Sequence, residues 1–569
     1  MIFFRQAGYP WLRGLSFLVY LLGIAAPALS QESQTDKQET ETVHGTVINS
    51  VTGSAIPRAL VSTSDNRCAV LTDGEGHFEL TVPAENRGGT IFNGPVNPGP
   101  RNFVRLRRSF FFTARKPGFL DSLHGSPTVA SGSSDDITIS LTPEAIIKGR
   151  VTLASGDAAL GITVQLFSRQ VQDGLPRWTQ GPTALANSAG EFRFAELQPG
   201  SYKVVTREFM DYDPVTNIPG SQQYGYPPMY YPGVSDFAAS STIQLSPGQE
   251  AEADLSLTRQ PYYAVKIPIA TGDVPGYPNI SVEGQRGPGY SLGYNPNEHR
   301  VEGLLPNGNY VVEALTFGQN SRCGSVNLQV NGAPVEGPAM MLVPMVSVSL
   351  QVREEFSGDS SISSTWSDGK HTFPLHGPRS YFNANVESAD DFHQRQRGSI
   401  RQPRGPEDNS LVIENLLPGR YWLRLSTGRG YVASATQGPS DVLHQPFTVG
   451  SGPAAPIEIT LRDDKAQVEG AITPLSQSSA QQDPAQVWIY WIPLPDSAGE
   501  YTQFAIGGDG KFGTQMAPGD YRVLAFSKMQ QQLPYRDADA MKSYESKGTV
   551  VHLAAGQKTT VQIETILNE

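Results

Sequence analysis

One short motif occurs four times in this chain, and its spacing limits the folds that the chain can adopt. It consists of a strand, a Pro-Gly or Asn-Gly turn and a second strand that opens on a tyrosine. The four tyrosines are Tyr202, Tyr310, Tyr421 and Tyr521. The prolines before them are 107, 112 and 100 residues apart. Because this period is the size of a whole domain rather than a solenoid repeat, it predicts an array of separate cores.

The first copy of the motif explains the local structure that we expect. Phe192 and Phe194 alternate with charged residues, so each strand should bury one face. Pro199 presets φ for the first central position of a turn, and Gly200 supplies the positive φ of a type II turn. We therefore predict that the turn joins adjacent antiparallel strands and turns the tyrosine toward the core. Asn307 adds one residue to the second copy, which predicts a bulged or longer hairpin there.

Composition supports an all-β fold. The 569 residues include 57 glycines and 44 prolines, only 17% are charged, and the tracts between the turns are rich in β-branched and aromatic residues at period two. This length corresponds to about four to six domains of ~100 to 150 residues. The net charge of −12 is spread along the chain, which argues against nucleic acid as a partner.

The N-terminus has the pattern of a secretory signal peptide. Two arginines precede an apolar run over residues 15–28, and small residues stand at the cleavage-setting positions before Gln31. An uncleaved anchor is the alternative, but about 14 apolar residues are short of the ~20 that span a bilayer. We expect a signal peptide at residues 1–30, a flexible leader at 31–42 and no membrane span in the mature chain. The protein is then secreted, periplasmic or at the cell surface.

The segment after the leader carries a family pattern. Its pieces, in order, are Thr52-Gly53, Ile56-Pro57-Arg58-Ala59, Thr72-Asp73-Gly74-Glu75-Gly76-His77-Phe78 and Pro117-Gly118-Phe119. This pattern resembles the carboxypeptidase regulatory-like domain, which implies a seven-stranded transthyretin-like β-sandwich with a carbohydrate-binding-like fold. In metallocarboxypeptidases that domain is an accessory to a separate catalytic domain. The segment Tyr230-Tyr231-Pro232-Gly233 is similar to an element of multi-domain secreted bacterial proteins of the same family.

We predict an all-β protein, a tandem array of about five Greek-key, transthyretin-like (Ig-like) β-sandwich domains after a signal peptide. The family pattern covers the first, second and fifth domains, and the repeat phase alone places the third and fourth. The predicted domains are residues 43–143, 144–260, 261–346, 347–464 and 465–569. In the first, an insertion at 84–108 carries Arg101, Arg105, Arg107 and Arg108. These arginines could bind an acidic partner, but we favour a solvated loop.

Two strings are similar to catalytic signatures. His299-Arg300-Val301-Glu302 matches the His-x-x-Glu zinc signature of metallocarboxypeptidases, but its repeat phase predicts a strand, where residues three apart point to opposite faces. Gly289-Tyr290-Ser291-Leu292-Gly293 matches a nucleophile elbow, but the following Asn295-Pro296 prevents the helix that an elbow requires. We therefore predict no catalytic residue and no enzyme.

Metal, cofactor and disulfide signals are weak. Acidic turns at Asp73-Gly74-Glu75-Gly76 and Gly508-Asp509-Gly510 supply too few oxygens for calcium, so we interpret them as hairpin turns. The only cysteines, Cys68 and Cys323, fall in different predicted domains. An oxidising compartment permits a bond between them, but we favour two separate buried thiols. No metal site and no cofactor is predicted.

Two concentrations of aromatic residues are the candidate ligand sites. In a proline-rich loop of the second domain and a strand of the fifth, the candidate ligand-binding residues are Tyr212, Tyr224, Tyr226, Tyr230, Tyr231, Trp488 and Tyr490. Phe209 and Phe237 lie in the same loop. Over residues 487–492, alternation sends Val487, Ile489 and Trp491 to one face and Trp488, Tyr490 and Ile492 to the other. One of these faces must be covered by a neighbouring domain, a loop or a ligand such as a sugar.

From these patterns we expect a non-enzymatic, extracytoplasmic binding or adhesion protein of bacterial type. Its partner would be a polysaccharide or another envelope protein. A structural spacer or assembly module of an envelope complex is the first alternative. An enzyme with an unrecognised site between two domains is the second, and shifted pKa values in an inter-domain pocket would favour it.

Overall fold

A computed structural model gives the fold. It describes residues 40–63, 66–83, 112–120, 137–211, 218, 220–270, 277–284, 287–318, 321–358, 364–390, 397–405, 407–473, 487–494, 497, 499–506, 510–527, 529–530 and 532–566. The predicted signal peptide, most of the leader and the arginine-bearing insertion lie outside these residues. Within them the regular secondary structure is almost entirely β-strand, as predicted, and the chain forms consecutive units that we number 1 to 5.

Units 1 and 2 are each built from two sheets. The strands of unit 1 are β1 (Thr40–Asn49), β2 (Leu60–Thr63), β3 (Ala69–Leu71), β4 (His77–Pro83), β5 (Phe112–Arg115) and β6 (Ile137–Leu141). Those of unit 2 are β7 (Ala145–Leu153), β8 (Thr163–Gln172), β9 (Leu175–Leu185), β10 (Glu191–Leu197), β11 (Gly200–Thr206), β12 (Phe209–Met210), β13 (Gln223–Tyr226), β14 (Ile243–Leu245), β15 (Glu250–Glu252) and β16 (Leu255–Leu257). The sheets run β4-β1-β6 and β3-β2-β5 in unit 1, and β10-β7-β15 and β14-β11-β8-β9 in unit 2.

Unit 3 shares a sheet with unit 2. Its strands are β17 (Gln260–Pro268), β18 (Asn279–Gly284), β19 (Gly287–Tyr290), β20 (Leu292–Asn295), β21 (Arg300–Pro306), β22 (Gly308–Leu315), β23 (Arg322–Val330), β24 (Val335–Glu336) and β25 (Val343–Pro344). One sheet runs β12-β13-β17-β21-β20 and the other β19-β18-β22-β23-β25. The first of these sheets therefore begins with two strands that unit 2 contributes.

Units 4 and 5 complete the array. The elements of unit 4 are β26 (Val346–Glu355), β27 (Ser364–Ser367), β28 (Thr372–Leu375), a 3-10 helix (Gly377–Ser380), β29 (Phe382–Ser388), β30 (Arg397–Ser399), β31 (Leu411–Leu416), β32 (Gly419–Thr427), β33 (Tyr431–Gln437), β34 (Ser440–Asp441), β35 (Phe447–Val449) and β36 (Ile457–Arg462). Those of unit 5 are β37 (Ala466–Thr473), β38 (Val487–Pro493), β39 (Thr502–Ile506), β40 (Lys511–Met516), β41 (Gly519–Phe526), helix α1 (Ala538–Met541), a 3-10 helix (Lys542–Tyr544), β42 (Thr549–Leu553) and β43 (Lys558–Ile566). No helix among these described residues is long and apolar enough to cross a bilayer.

All five units share one pairing rule. The first strand of each unit pairs antiparallel with a strand from the middle of the unit and parallel with a strand near its end. The antiparallel pairs are β1–β4, β7–β10, β17–β21, β26–β31 and β37–β40, and the parallel pairs are β1–β6, β7–β15, β17–β24, β26–β36 and β37–β43. The repeat in the sequence is therefore a repeat of topology.

Each unit has its own apolar core. A deeply buried residue from each of the five largest clusters is Val47, Ile147, Ile267, Val348 and Ile489 in turn. Each cluster falls within one of the predicted domain ranges, except that Val346 packs in the core of unit 4. Separate cores are the arrangement that the period of about 100 residues predicts.

The four repeated tyrosines are buried, and their hydroxyls make the same hydrogen bond. All four are at most 6% exposed, and each hydroxyl donates a hydrogen bond to the carbonyl four residues earlier. The bonds are Tyr202 to Gln198 (2.6 Å), Tyr310 to Pro306 (2.9 Å), Tyr421 to Leu417 (2.9 Å) and Tyr521 to Ala517 (2.7 Å). This arrangement is a tyrosine corner, which ties a turn between sheets to the strand that follows it.

The prediction that each Pro-Gly turn joins paired strands is wrong. The strands that flank the turn do not pair with each other. In unit 2, for example, β10 pairs with β7, whereas β11 pairs with β8 and β14 in the other sheet. In units 2, 3 and 4 the turn is therefore a crossover between sheets, and no hairpin forms at Asn307. In unit 5 the flanking strands β40 and β41 lie in one seven-stranded sheet but do not pair with each other. The type II turn is also not formed, because Gly200 has φ +157° and Gly519 has φ +147°, far from the value of about +80°. Gly308 and Gly419 do not have positive φ.

Candidate functional site at the junctions between units

The predicted aromatic loop of unit 2 lies on the sheet of unit 3. Gln223–Tyr226 pairs antiparallel with β17, and Tyr224 lies opposite Pro261. Arg259 stacks over the Tyr224 ring at 3.9 Å, and the Tyr226 ring lies 6.4 Å from that of Phe209. Both tyrosines are half-buried. We call this continuation of one sheet by two units the strand junction.

The other predicted tyrosines of this loop differ in exposure. Tyr230 is 2% exposed and packs edge-on against Phe237 at 5.7 Å. Tyr231 is half-buried and packs on the core of unit 2. Tyr212 lies outside the described residues. A ring as deeply buried as Tyr230 presents no face on which a ligand can stack.

The alternation predicted for residues 487–492 is confirmed. Val487, Ile489 and Trp491 pack in the main core of unit 5, while Tyr490 and Ile492 pack in a second cluster on the opposite face. This second face is covered by the side chains of Leu533, Tyr535, Met541 and Tyr544. Tyr490 is fully buried, and its hydroxyl accepts a hydrogen bond from the Gln530 amide at 2.7 Å. The face is thus covered by a loop of the same unit, and Trp488 is half-buried beside it.

A buried carboxylate lies beside the strand junction. Glu208 Oε2 accepts a hydrogen bond from the Ser291 amide of unit 3 at 3.1 Å. Its Oε1 atom is buried without a hydrogen-bond partner among the described residues, and so is the Tyr262 hydroxyl. Burial raises the pKa of Glu208 to about 7, and the Ser291 amide and the nearby Tyr262 hydroxyl oppose this shift only in part. Burial also raises the pKa of Tyr262, and the nearby Glu208 carboxylate adds to that shift.

A second junction brings unit 2 against units 4 and 5. The β8–β9 hairpin turns at Asp173 and Gly174, which have φ +47° and +77°. Two residues with positive φ form the two-residue turn that suits the twist of a hairpin. The Asp173 carboxylate at this tip forms an ion pair with Arg424 of β32. We call the contacts of this tip the clasp junction.

Unit 5 contributes a hydroxyl, a guanidinium and an amide to the clasp junction. Tyr535 donates its hydroxyl to Asp173 Oδ1 at 2.5 Å, and Arg536 Nη2 lies 3.5 Å from Oδ2. The Arg536 amide donates to the Gly174 carbonyl at 3.0 Å. The Tyr535 ring stacks on Tyr501 at 3.8 Å with an interplanar angle of 5°, which fixes the direction of its hydroxyl.

Unit 4 meets the same hairpin at two points. Arg177 of β9 is 4% exposed and donates to the Ser388 carbonyl at 2.7 Å. Arg424 is 18% exposed at its side chain, and its two terminal nitrogens have no hydrogen-bond partner among the described residues. Burial lowers the pKa of Arg424 to about 10, and the neighbouring Arg536 lowers it further while Asp173 opposes the shift. The Asp173 carboxylate is thus the counter-charge that lets a buried guanidinium persist.

The strings that are similar to catalytic signatures lie on strands and turns. His299 precedes β21 with φ +48°, and Glu302 forms an ion pair with Arg300 at 2.6 Å. Ser291 lies between β19 and β20, so a strand and not a helix follows it. The second placement confirms that no helix follows Ser291. The first confirms the predicted strand only from Arg300 onward, because His299 lies in the turn before β21.

The acidic turn at Asp73 and the two cysteines form neither a metal site with an evident ligand nor a disulfide among the described residues. Asp73 Oδ1 accepts hydrogen bonds from the Glu75 and His77 amides at 2.9 and 2.8 Å, which is a turn. The three exposed side chains lie close enough to share an ion, but nothing beyond the cluster itself indicates a ligand. Asp509 lies outside the described residues. The two thiols are not bonded to each other; Cys68 is half-buried and Cys323 is buried.

Sequence reasoning missed Asp173, Arg424, Tyr535 and Glu208. An Asp-Gly pair between two alternating strands is a strong hairpin signal, so Asp173–Gly174 could have been found. It also missed Tyr277, which is 78% exposed and packs edge-on against Tyr294 at 6.5 Å. The Tyr277 ring is therefore more open than the half-buried rings of Tyr224, Tyr226 and Tyr231.

Comparisons with known proteins give weak likenesses. No protein-family model and no curated protein matches the chain. Among solved structures, a streptococcal ancillary pilin is 11% identical over 54% of this chain and 100% of its own, with a TM-score of 0.17. A shaft pilin, SpaA from Lactobacillus rhamnosus GG, is 10% identical over 42% and 100%, with a TM-score of 0.19. The RrgB pilus protein of Streptococcus pneumoniae is 9% identical over 75% and 98%, with a TM-score of 0.14. At these TM-scores the likenesses carry no argument, and the resemblance to the carboxypeptidase regulatory-like domain stays an interpretation of the sequence.

Proposed function

We propose that this chain is a non-enzymatic scaffold of β-sandwich units that works outside the cytoplasm, in adhesion or as a structural element of the envelope. The observation that supports this most is that its polar and aromatic clusters fasten units together. Glu208 receives a hydrogen bond from unit 3, and Asp173 contacts units 4 and 5. Side chains committed in this way fix the positions of units.

We further propose that the scaffold binds a polysaccharide, with another envelope protein as the alternative partner. Half-buried Tyr224, Tyr226 and Tyr231 keep part of their rings accessible, and Tyr277 is open. Flat aromatic faces with a polar tip suit stacking on the apolar faces of sugars.

An enzyme with a site between two units is the second candidate, because Glu208 is a carboxyl group with a pKa of about 7 at a junction. A pKa near 7 is typical of a general base. Against this, its neighbours are tyrosines and main chain, and its Oε1 atom has no exposed surface. The scaffold is therefore the stronger candidate.

The test is retention of the mature chain, residues 31–569, on insoluble cellulose, chitin and peptidoglycan, with released soluble sugar measured in the same tubes. Retention without release supports the scaffold with a glycan partner. Release that Glu208→Gln abolishes would instead establish an enzyme. Retention on none of the glycans, together with co-purification of one envelope protein, would favour the assembly module.

Variants then locate the binding face. Tyr277→Ala and the pair Tyr224→Ala and Tyr226→Ala are compared with Trp488→Ala and Tyr490→Ala. If binding is lost while melting is unchanged, the altered rings contact the ligand. If melting is lowered and binding of the folded fraction is unchanged, those rings have a structural role only.

A further inference from the structure

The clasp junction brings together groups that would recognise a carboxylate from any source. Arg424 of unit 4 and Arg536 of unit 5 carry two positive charges to one place, and the Tyr535 hydroxyl donates between them. Two guanidiniums and a phenol around one carboxylate form a charge-assisted binding site. The binding groups come from units 4 and 5 and the carboxylate comes from unit 2, so the occupied site joins three units.

The Asp173 carboxylate lies at the tip of the β8–β9 hairpin, whose shape suits insertion into the site on units 4 and 5. Strands β8 and β9 are 10 and 11 residues long and end in a two-residue turn. Gly174 adopts φ +77°, and a Cβ atom added there would lie 2.7 Å from the Tyr535 ring. The tip therefore fits its site closely, and the fit depends on glycine.

The stability of the clasp junction depends on one charged group, the Asp173 carboxylate. Arg424 is mostly buried, and its two terminal nitrogens lack hydrogen bonds among the described residues. A buried guanidinium without its counter-charge is strongly unfavourable, whereas the same guanidinium in water is not. When the Asp173 charge is absent, separation of the units lets water solvate Arg424.

We propose that the β8–β9 hairpin is an intramolecular clasp: Asp173 occupies a carboxylate-binding site formed by Arg424, Tyr535 and Arg536, and it holds the tandem array closed. When the carboxylate leaves, the array opens at this junction while units 2 and 3 stay joined through β13 and β17. The open array exposes the site on units 4 and 5 to other carboxylates. This inference does not depend on the proposed function.

The experiment is small-angle X-ray scattering of the mature chain, with near-UV circular dichroism to verify that the units stay folded. Asp173→Asn removes the charge and keeps the size of the side chain. It should raise the maximum dimension by about the diameter of one unit, ~30 Å. The matched control is Asp390→Asn, because Asp390 pairs with Arg420 at 3.0 Å within unit 4. The control should leave the maximum dimension unchanged.

A second pair of variants tests the steric fit of the hairpin tip instead of its charge. Gly174→Ala places a methyl group against the Tyr535 ring, whereas Gly156→Ala in the same unit has φ +91° and nothing within 4 Å of the added atom. Both carry a similar backbone penalty, so only Gly174→Ala should open the array. If Asp173→Asn loses its near-UV signal, this second pair decides the question.

The clasp is overturned if Asp173→Asn and Gly174→Ala scatter as the parent chain does. It is equally overturned if Asp390→Asn or Gly156→Ala opens the array to the same extent, since the effect would then not belong to this junction.

Discussion

The strand junction and the clasp junction join unit 2 to its neighbours in different ways. At the strand junction, β13 continues the sheet of unit 3, and main-chain hydrogen bonds carry the contact. At the clasp junction, the tip of one hairpin is held mostly by side chains around the Asp173 carboxylate. Main-chain pairing survives changes of side chain, whereas a charged contact depends on each partner. The first junction should therefore be permanent and the second reversible.

The largest effect is expected from charge removal at the clasp junction. Asp173→Asn leaves the mostly buried Arg424 without its counter-charge and should destabilise the folded array by about 2 to 4 kcal/mol. Arg424→Met should cost less, because methionine needs no partner. Calorimetry of both variants and of the double variant measures the coupling. Equal losses for both single variants with no coupling would mean that charge does not hold this junction.

The next effect concerns pH at the strand junction. The pKa of Glu208 is raised to about 7 in the folded chain, above the value of about 4.3 for an exposed glutamate. The folded state therefore holds the proton more tightly. This contribution to stability is fully present below about pH 4 and is lost as the pH rises through 7, with a total of up to roughly 4 kcal/mol.

Glu208→Gln tests this pH dependence, because the amide keeps the acceptor for Ser291 and carries no charge. The variant should melt higher than the parent at pH 8 and close to it at pH 4. A parent chain whose melting difference from the variant does not change between these pH values would contradict the buried, protonated carboxyl.

A smaller effect is expected from crowding of the paired strands. A Cβ atom at Gly225 would lie 2.9 Å from the Tyr262 ring and 3.0 Å from the Phe209 carbonyl. Gly225→Ala should therefore cost about 1 to 3 kcal/mol. Gly293→Ala is the control in the same sheet, since its nearest contact is 3.9 Å away, and it should be nearly neutral. Thermal melting distinguishes the two, and equal losses would mean that β13 is not packed against β17.

The smallest effect on stability is expected from removing the hydroxyl groups of two buried tyrosines that differ in hydrogen bonding. Tyr421 and Tyr262 are each 1% exposed. The Tyr421 hydroxyl donates to the Leu417 carbonyl at 2.9 Å, whereas the Tyr262 hydroxyl lies near Glu208 without a hydrogen bond of normal geometry among the described residues. Tyr421→Phe should cost about 1 kcal/mol, whereas Tyr262→Phe should be neutral or stabilising. Urea unfolding of the two variants measures this difference, and a larger loss for Tyr262→Phe would show that its hydroxyl is satisfied.

Local patterns predicted the strands and their buried faces. The two faces of residues 487–492 follow from alternation alone, and the buried tyrosines follow from their phase. The turn was misread because a Pro-Gly pair looks the same whether the strands that flank it pair or separate into two sheets. A bulge before the turn helps to send the chain across the core, with Glu196 at φ +55° and Asn415 at φ +62°.

The junctions lay beyond such patterns. The Asp173–Gly174 turn has a local signal, but Arg424 and Tyr535 are about 250 and 360 residues further along the chain. Nothing in the sequence around them indicates that they meet one hairpin tip. The raised pKa of Glu208 has the same origin, because the burial that causes it comes from packing against unit 3.

The distance between units 2 and 5 in the parent chain reports directly whether the clasp junction holds the array closed. Spin labels are placed on the exposed residues Gln170 and Ser543 after the two cysteines are replaced by serine, and double electron–electron resonance gives the distance distribution. Gln170 is three residues from Asp173 and Ser543 is seven from Arg536, so in a closed array the labelled residues lie within about 45 Å of each other. A closed array should give one narrow distribution below that bound. A broad distribution that extends well beyond it would contradict the closed array.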